Sequence, residues 1–151
     1  MDSLQSPFTV AVITPTHNRA GLIAAALDSV VAQTTPVRIE VAIVDDGSTD
    51  STPQVLEPYL ANYSDPAGKV VMRYTRLQKQ GVVVARNTAI AQTTAPFIAF
   101  LDSDDYWHPD KLSKQLAAME ADDRVALVHT SFRYVNEEGQ LTDEGPQRMD
   151  N

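Results

Sequence analysis

An α/β domain, with a mainly parallel sheet and helices on both faces, is the fold class the sequence predicts. Two observations lead there. Short β-branched runs alternate with segments whose apolar residues recur at helical spacing, and such alternation implies parallel pairing through right-handed crossovers. Three of the apolar runs end in polar or acidic clusters, and open parallel sheets bind ligands beyond the carboxyl ends of their strands. A length of 151 residues suits one domain, and a hydrophobic fraction of 43% is enough for a real core.

The elements follow in order. Phe8 to Thr14 (FTVAVIT) reads as a buried strand ending at Pro15. Leu22, Ile23, Ala26, Leu27, Val30 and Val31 mark a first helix. Ile39 to Val44 (IEVAIV) is a second strand running into the acidic loop DDGSTD. Thr52 and Pro53 read as a helix start, a hydroxyl cap before a proline at the first helical position. Val55, Leu56, Tyr59 and Leu60 supply that helix's apolar face. Val70 to Tyr74 is a third, more exposed strand. Gly81 opens a third helix through Ala91, with Val83, Asn87, Ile90 and Ala91 on one side. Pro96 to Leu101 (PFIAFL) reads as a fully buried fourth strand, stopping at Asp102-Ser103-Asp104-Asp105. Pro109 begins a fourth helix with Leu112, Leu116 and Met119 on one face. Val125 to Val135 contains a fifth strand. The domain is thus expected over residues 1–135, with 136–151 a polar, turn-rich tail.

Composition narrows the function. The net charge is −8, from 20 acidic and 12 basic residues. That balance argues against bulk nucleic-acid binding and against a polybasic membrane anchor. With no cysteine, disulfides and thiolate metal sites are excluded for this chain. The start MDSLQSPFTVAVI lacks the basic n-region of a signal peptide, and no stretch approaches the roughly 18 apolar residues of a membrane span. The expectation is a cytoplasmic protein, with a peripheral position at the membrane left open.

The loops after three strands carry the chemistry. Asp102, Asp104 and Asp105 lie together after an apolar run, and close carboxylates repel one another until a hard cation relieves them. Magnesium and manganese prefer carboxylate oxygen and leave coordination positions for phosphate, so a DxD element bridges protein to a metal-bound diphosphate. The bland alternative is an acidic turn in which Asp105 or Asp110 caps the following helix. Asp45-Asp46-Gly47-Ser48 is rich in turn formers, yet a carboxylate there suits the imide N–H of a uracil or thymine ring. His17 is a candidate for stacking on a base or for an ordinary structural place in its loop, with metal ligation set aside. Arg19 and Arg86 face diphosphate or form surface ion pairs. Trp107 anchors its loop by packing or stacks on a sugar.

Four blocks, VAVITPTHNR, VAIVDDGSTDST, GVVVARNTAIA and FIAFLDSDDYWHPDKL, together resemble the family two glycosyltransferases with the Rossmann-like GT-A fold, over roughly residues 8 to 135. The resemblance implies transfer of a sugar from a nucleotide-diphosphate donor to the hydroxyl of a glycan, lipid-linked or other acceptor, with inversion and with Mn or Mg. UDP is the nucleotide preferred on this ground alone. Carried over by position, Pro15 and His17 flank the nucleobase and Asp46 contacts it, with Asp45 the less secure base contact. Arg86 lies near the donor. Asp102 approaches ribose or sugar, Ser103 joins the donor-binding set beside it, and Asp104 holds the metal.

One departure matters. Family members carry their catalytic base in a later segment, and Glu137, Glu138, Asp143 and Glu144 sit in a polar tail that offers no convincing one. The catalytic base is therefore left unassigned, and the chain is expected to be truncated before an acceptor-binding region. A nucleotide-sugar-binding module without independent catalysis is the alternative reading. Other enzyme classes fit less well. A haloacid-dehalogenase-type phosphatase wants its spaced aspartates after the first strand, a sugar nucleotidyltransferase wants a glycine-rich loop where PTHNR stands, and the dinucleotide fingerprint G-x-G-x-x-G is absent.

Overall fold

The structure is a computed structural model that describes residues 8–136 and 139–142. Two compact units divide the chain, Met1–Ser113 and Lys114–Asn151. The first holds a parallel sheet of β1 (Val10–Thr16), β2 (Ile39–Asp45), β3 (Val70–Arg76) and β4 (Phe97–Phe100), in the order β3-β2-β1-β4. Helices α1 (Ile23–Val31), α2 (Thr52–Asn62) and α3 (Val82–Ala91) connect these strands. Helix α4 (Lys111–Glu120) runs across the boundary between the units, and the second unit contains a short antiparallel pair, β5 (Tyr134–Val135) with β6 (Leu141–Thr142).

The strand order explains the layers. The chain steps from β1 to β2 to β3 in one direction, then returns through α3 to β4 on the far side of β1. Right-handed crossovers put α3 on the face opposite α1 and α2, because the direction of travel reverses. Packing agrees with this. Ala11, Ile13, Ala42 and Val44 form one cluster with Ala85 and Ala89 of α3. The alternate residues Val10, Val12, Val41 and Ile43 point the other way and are equally buried, toward the side where α1 and α2 pack together. Both β1 and β2 are buried along their whole length, which is why they read as unbroken apolar runs.

Strand β1 does not stop at Pro15 but continues to Thr16. Leu101 donates its N–H to Ile13 and Asp46 donates to Thr16, so alternate residues of β1 turn toward β4 and β2. Pro15 faces the β4 side, where the ladder has ended at Ile13. Its missing N–H therefore leaves no gap.

Two expectations are corrected and a third is narrowed. Strand β4 is not fully buried: it lies at a sheet edge with β1 as its neighbour among the described residues, and Ile98 and Phe100 are 43% and 56% exposed. An apolar run reveals a strand but not whether both flanks are covered. The inward face of α3 is Ala85 and Ala89, with Ile90 packed beside them as expected, while Val83, Asn87 and Ala91 are exposed. Small residues let this helix approach the sheet closely, and the larger Val83 is left on the outward side. The fifth strand expected within Val125–Val135 is present but short: among the described residues it is Tyr134–Val135, which pairs across a turn at Gly139 with Leu141–Thr142 and not with the parallel sheet. Leu127 and Phe132 are exposed, so apolar character alone did not recruit them to a ladder.

Smaller differences concern helix starts. Leu22 stands exposed as the residue before α1. At α2, Thr52 is the first helical residue, and its N–H is received by the Asp50 carboxylate rather than by a hydroxyl cap. Glu137, Glu138, Asp143 and Glu144 lie outside the described residues.

The close approach of α3 is testable. Ala85→Leu should cost about 1–3 kcal/mol through overpacking against the sheet. Val83→Ser, on the exposed side, should change stability by no more than about 0.5 kcal/mol. Urea denaturation followed by circular dichroism separates the two.

Candidate active site

The loops after β1, β2 and β4 meet at the carboxyl ends of the strands. The reversal of chain direction between β1 and β4 opens a crevice there, the place where doubly wound sheets bind ligands. A cleft of about 410 Å³ occupies it. Pro15 and Thr16 line it from the end of β1, His17 and Arg19 from the first loop, Asp46 from the second, and Asp102, Ser103 and Asp104 from the fourth strand's end. Lys79, Gly81, Val82, Ala85 and Arg86 close it from the start of α3.

Seven of the eight site residues expected from the sequence thus stand in one cleft: Pro15, His17, Asp46, Arg86, Asp102, Ser103 and Asp104. Asp45 does not line it. Its carboxylate is fully buried and accepts the Ser48 N–H at 2.7 Å and the Tyr74 hydroxyl at 2.8 Å. Those bonds shape the turn and leave Asp45 facing the protein. Its neighbour Asp46 is 6% exposed and accepts the N–H groups of Gln80 at 2.7 Å and Gly81 at 2.8 Å.

The first and second loops are fastened by Asn18. This residue has a φ of 53°, a conformation that asparagine tolerates better than most side chains. Its Oδ1 accepts the Thr49 N–H at 2.7 Å, and its own N–H donates to Ser48 Oγ at 2.9 Å. Arg19 N–H donates to Thr52 Oγ1 at 2.8 Å, and Ala20 N–H to Asp50 Oδ2 at 3.2 Å. These bonds consume the Thr and Asp of the DDGSTD block, so that block builds the loop while Asp46 alone reaches the cleft.

Charge is balanced across the cleft. Arg86 pairs with Asp102 at 2.5 Å, and Arg19 reaches Asp104 at 3.6 Å. Asp105, close to both motif carboxylates, has its carboxyl pushed up by burial first and by Asp104 and Asp102 next. Lys79 Nζ lies 3.1 Å from His17 Nε2. An ammonium only donates, so this contact makes Nε2 the acceptor. Arg19 and Lys79 were the lining cations that sequence reasoning weighed lightly or missed. Lys79 sits in a polar loop with no pattern to distinguish it. Trp107 is buried and has Lys111 Nζ 4.7 Å from its ring centre, in keeping with an anchor for its loop.

Among the described residues no three His, Asp or Glu side chains gather into a self-sufficient metal cage. The cleft nevertheless fits a cation of the magnesium type, which takes one or two carboxylates and completes its shell with phosphate and water. The Asp104 carboxylate is 48% exposed at the cleft wall, with Asp102 and Asp105 close by.

A doubly wound domain with a polar cleft at its topological switch point belongs to the nucleotide-binding class of α/β folds. Comparison with known proteins makes this specific. Residues 11–147 match the profile of glycosyl transferase family 2, and the chain belongs to that family of glycosyltransferases. It is 32% identical over 136 residues to the chondroitin synthase of Escherichia coli, 90% of this chain but 19% of that protein. It superimposes on TarS 1–349 of S. aureus in complex with UDP with a TM-score of 0.66, at 34% identity, over 75% of this chain and 32% of that one. The mannosyltransferase PcManGT of Pyrobaculum calidifontis, in complex with GDP-Man and Mn2+, matches with a TM-score of 0.69 at 30% identity, over 82% and 36%. The fold is accordingly of the GT-A type. The chain spans about a fifth of the length of several curated relatives it matches. No helix among the described residues is long and apolar enough to cross a membrane.

The Asp45–Tyr74 bond has a signature in pH. Burial and the Asp45 carboxylate push the Tyr74 phenol from 10 up to about 12. Folding favours the neutral phenol, so its contribution is complete below the unfolded value of 10 and fades as pH rises through about 12. Tyr74→Phe should flatten the alkaline loss of stability in that window. At neutral pH it should cost about 1–3 kcal/mol, because a buried carboxylate oxygen loses a donor. Urea unfolding at neutral and alkaline pH measures both effects.

Proposed function

We propose that this chain forms the donor-binding part of a glycosyltransferase that moves a sugar from a nucleoside diphosphate, UDP by preference, to an acceptor hydroxyl with inversion and with a divalent cation. The observation that carries this reading is the convergence of Pro15, His17, Asp46, Arg86, Asp102 and Asp104 on one cleft at the switch point. TarS bound to UDP and PcManGT bound to GDP-Man and Mn2+ support it.

In this reading the base lies between Pro15 and His17, with its imide N–H offered to Asp46. Asp46 accepts two backbone N–H groups already, yet an ionised carboxylate has about four acceptor positions, so a third bond fits. Asp102 and Ser103 face the ribose and sugar. Arg86, Arg19 and Lys79 surround the diphosphate. Asp104 is the protein's ligand to Mn or Mg, and the cation, when bound, would offset charge on the departing diphosphate.

Electrostatics gives a reason for metal dependence. The cleft holds three carboxylates, Asp46, Asp102 and Asp104, against three cations, Arg19, Lys79 and Arg86. Balanced in this way, it exerts little net pull on an anion. A divalent cation tips the balance to positive, and the nucleotide is then attracted. Transfer further needs a base that takes the proton from the attacking hydroxyl as the bond from sugar to diphosphate breaks. The catalytic base and the acceptor region are proposed to come from chain beyond this cleft.

Titration calorimetry with UDP tests the reading. Manganese should raise UDP affinity in the natural chain by tenfold or more, on the order of 1.4 kcal/mol. Asp104→Asn should abolish that increase and leave metal-free binding unchanged or slightly stronger, since one carboxylate has been neutralised. Undiminished manganese stimulation in Asp104→Asn would remove Asp104 from the metal site.

A further inference from the structure

The turn after β2 and the segment before α3 are joined more tightly than donor recognition alone requires. Gly47 has a φ of 75°, and a Cβ there would stand 3.0 Å from the Lys79 nitrogen and 3.4 Å from the Leu77 carbonyl oxygen. Leu77 N–H donates to the Asp45 carbonyl at 2.8 Å. The Asp46 carboxylate then takes the N–H groups of Gln80 and Gly81, one on each oxygen. Gln80 and Gly81 are themselves exposed, whereas Asp46 is buried. A buried carboxylate thus holds two exposed backbone amides, and charge-assisted bonds of this kind are the stronger class. Gly81, at a φ of 97°, leads directly into α3. Arg86 lies on that helix and spans the cleft to Asp102.

We propose that Asp46 is a positioning residue for the diphosphate end of the cleft. Its carboxylate anchors the start of α3, and through the helix it sets where the Arg86 guanidinium stands. The inference rests on the donor-site reading and adds to it, because the residue assigned to the base also governs the phosphate side. Loss of the Asp46 carboxylate therefore weakens binding at both ends. An amide in its place keeps one acceptor oxygen and turns an NH2 against a backbone N–H, so one anchoring bond becomes a donor–donor clash.

The experiment compares Asp46→Asn with the natural chain, using UDP and inorganic pyrophosphate, each with manganese, in titration calorimetry. Amide exchange and the amide resonances of Gln80 and Gly81 are followed by NMR in the same samples. In the natural chain these two exposed amides should exchange slowly, and in Asp46→Asn they should exchange freely while those of Val12 and Ile13 stay protected. Pyrophosphate affinity should fall along with UDP affinity, by about tenfold or more, the size expected when a bond to a charged group is lost. Gly47→Val serves as the second variant: it keeps the carboxylate but forces the 77–81 segment away, and it should weaken pyrophosphate in the same way. If Asp46→Asn loses UDP affinity while pyrophosphate affinity and the protection of Gln80 and Gly81 persist, Asp46 contacts the base alone and the inference is overturned with the donor site intact. A natural chain that binds neither ligand overturns the donor reading, and the inference with it.

Discussion

Two adjacent carboxylates close β2 at the top of an apolar core, and neither can remain buried without donors. An unpaired buried charge costs several kcal/mol, so the surrounding backbone is organised to meet it. Asp45 draws in the Ser48 amide and the Tyr74 hydroxyl, which closes the turn and ties it to β3. Asp46 draws in the amides of Gln80 and Gly81, which brings the start of α3 over the same turn. Gly47 follows them at a φ of 75°, where a Cβ would stand only 3.0 Å from the Lys79 backbone nitrogen. The position of the cleft's second and third walls follows from these contacts.

The remaining walls follow from topology. A chain that builds outward from β1 to β3 and then returns to β4 leaves a gap between β1 and β4 at their carboxyl ends. Polar loops meet there without crowding, since α1 and α3 leave on opposite faces. Asn18 then locks the β1 loop to the β2 loop through backbone amides. The result is a rigid frame of backbone bonds around a site whose side chains are charged and partly exposed.

That arrangement also separates stability from function. The bonds to Asp45, Asn18 and Thr52 are internal and hold the frame. The pairs Arg86–Asp102 and Arg19–Asp104 are half exposed, and exposed ion pairs contribute little to stability. Weak pairs separate readily, so their partners do not lock these arginines in place.

Much of this was legible in the residues. Alternating runs and periods identified the α/β class, three strands at close to their true bounds, and the three loops that meet. Strand and helix periods are local properties, set by side-chain shape and by which faces must be buried, so they survive in sequence. The motif blocks likewise marked Asp46, Asp102 and Asp104, which follow the ends of strands, and Arg86 within α3. Tertiary structure alone decided the rest. Whether β4 was central or at an edge depended on strand order, and that is a property of how the crossovers turn. The inward face of α3 depended on how closely a helix of alanines could approach the sheet, which the more hydrophobic valines concealed. The different fates of Asp45 and Asp46, one consumed in the frame and one turned to the cleft, came from donors 29 to 35 residues away in Tyr74, Gln80 and Gly81, and no local pattern encodes a partner so distant.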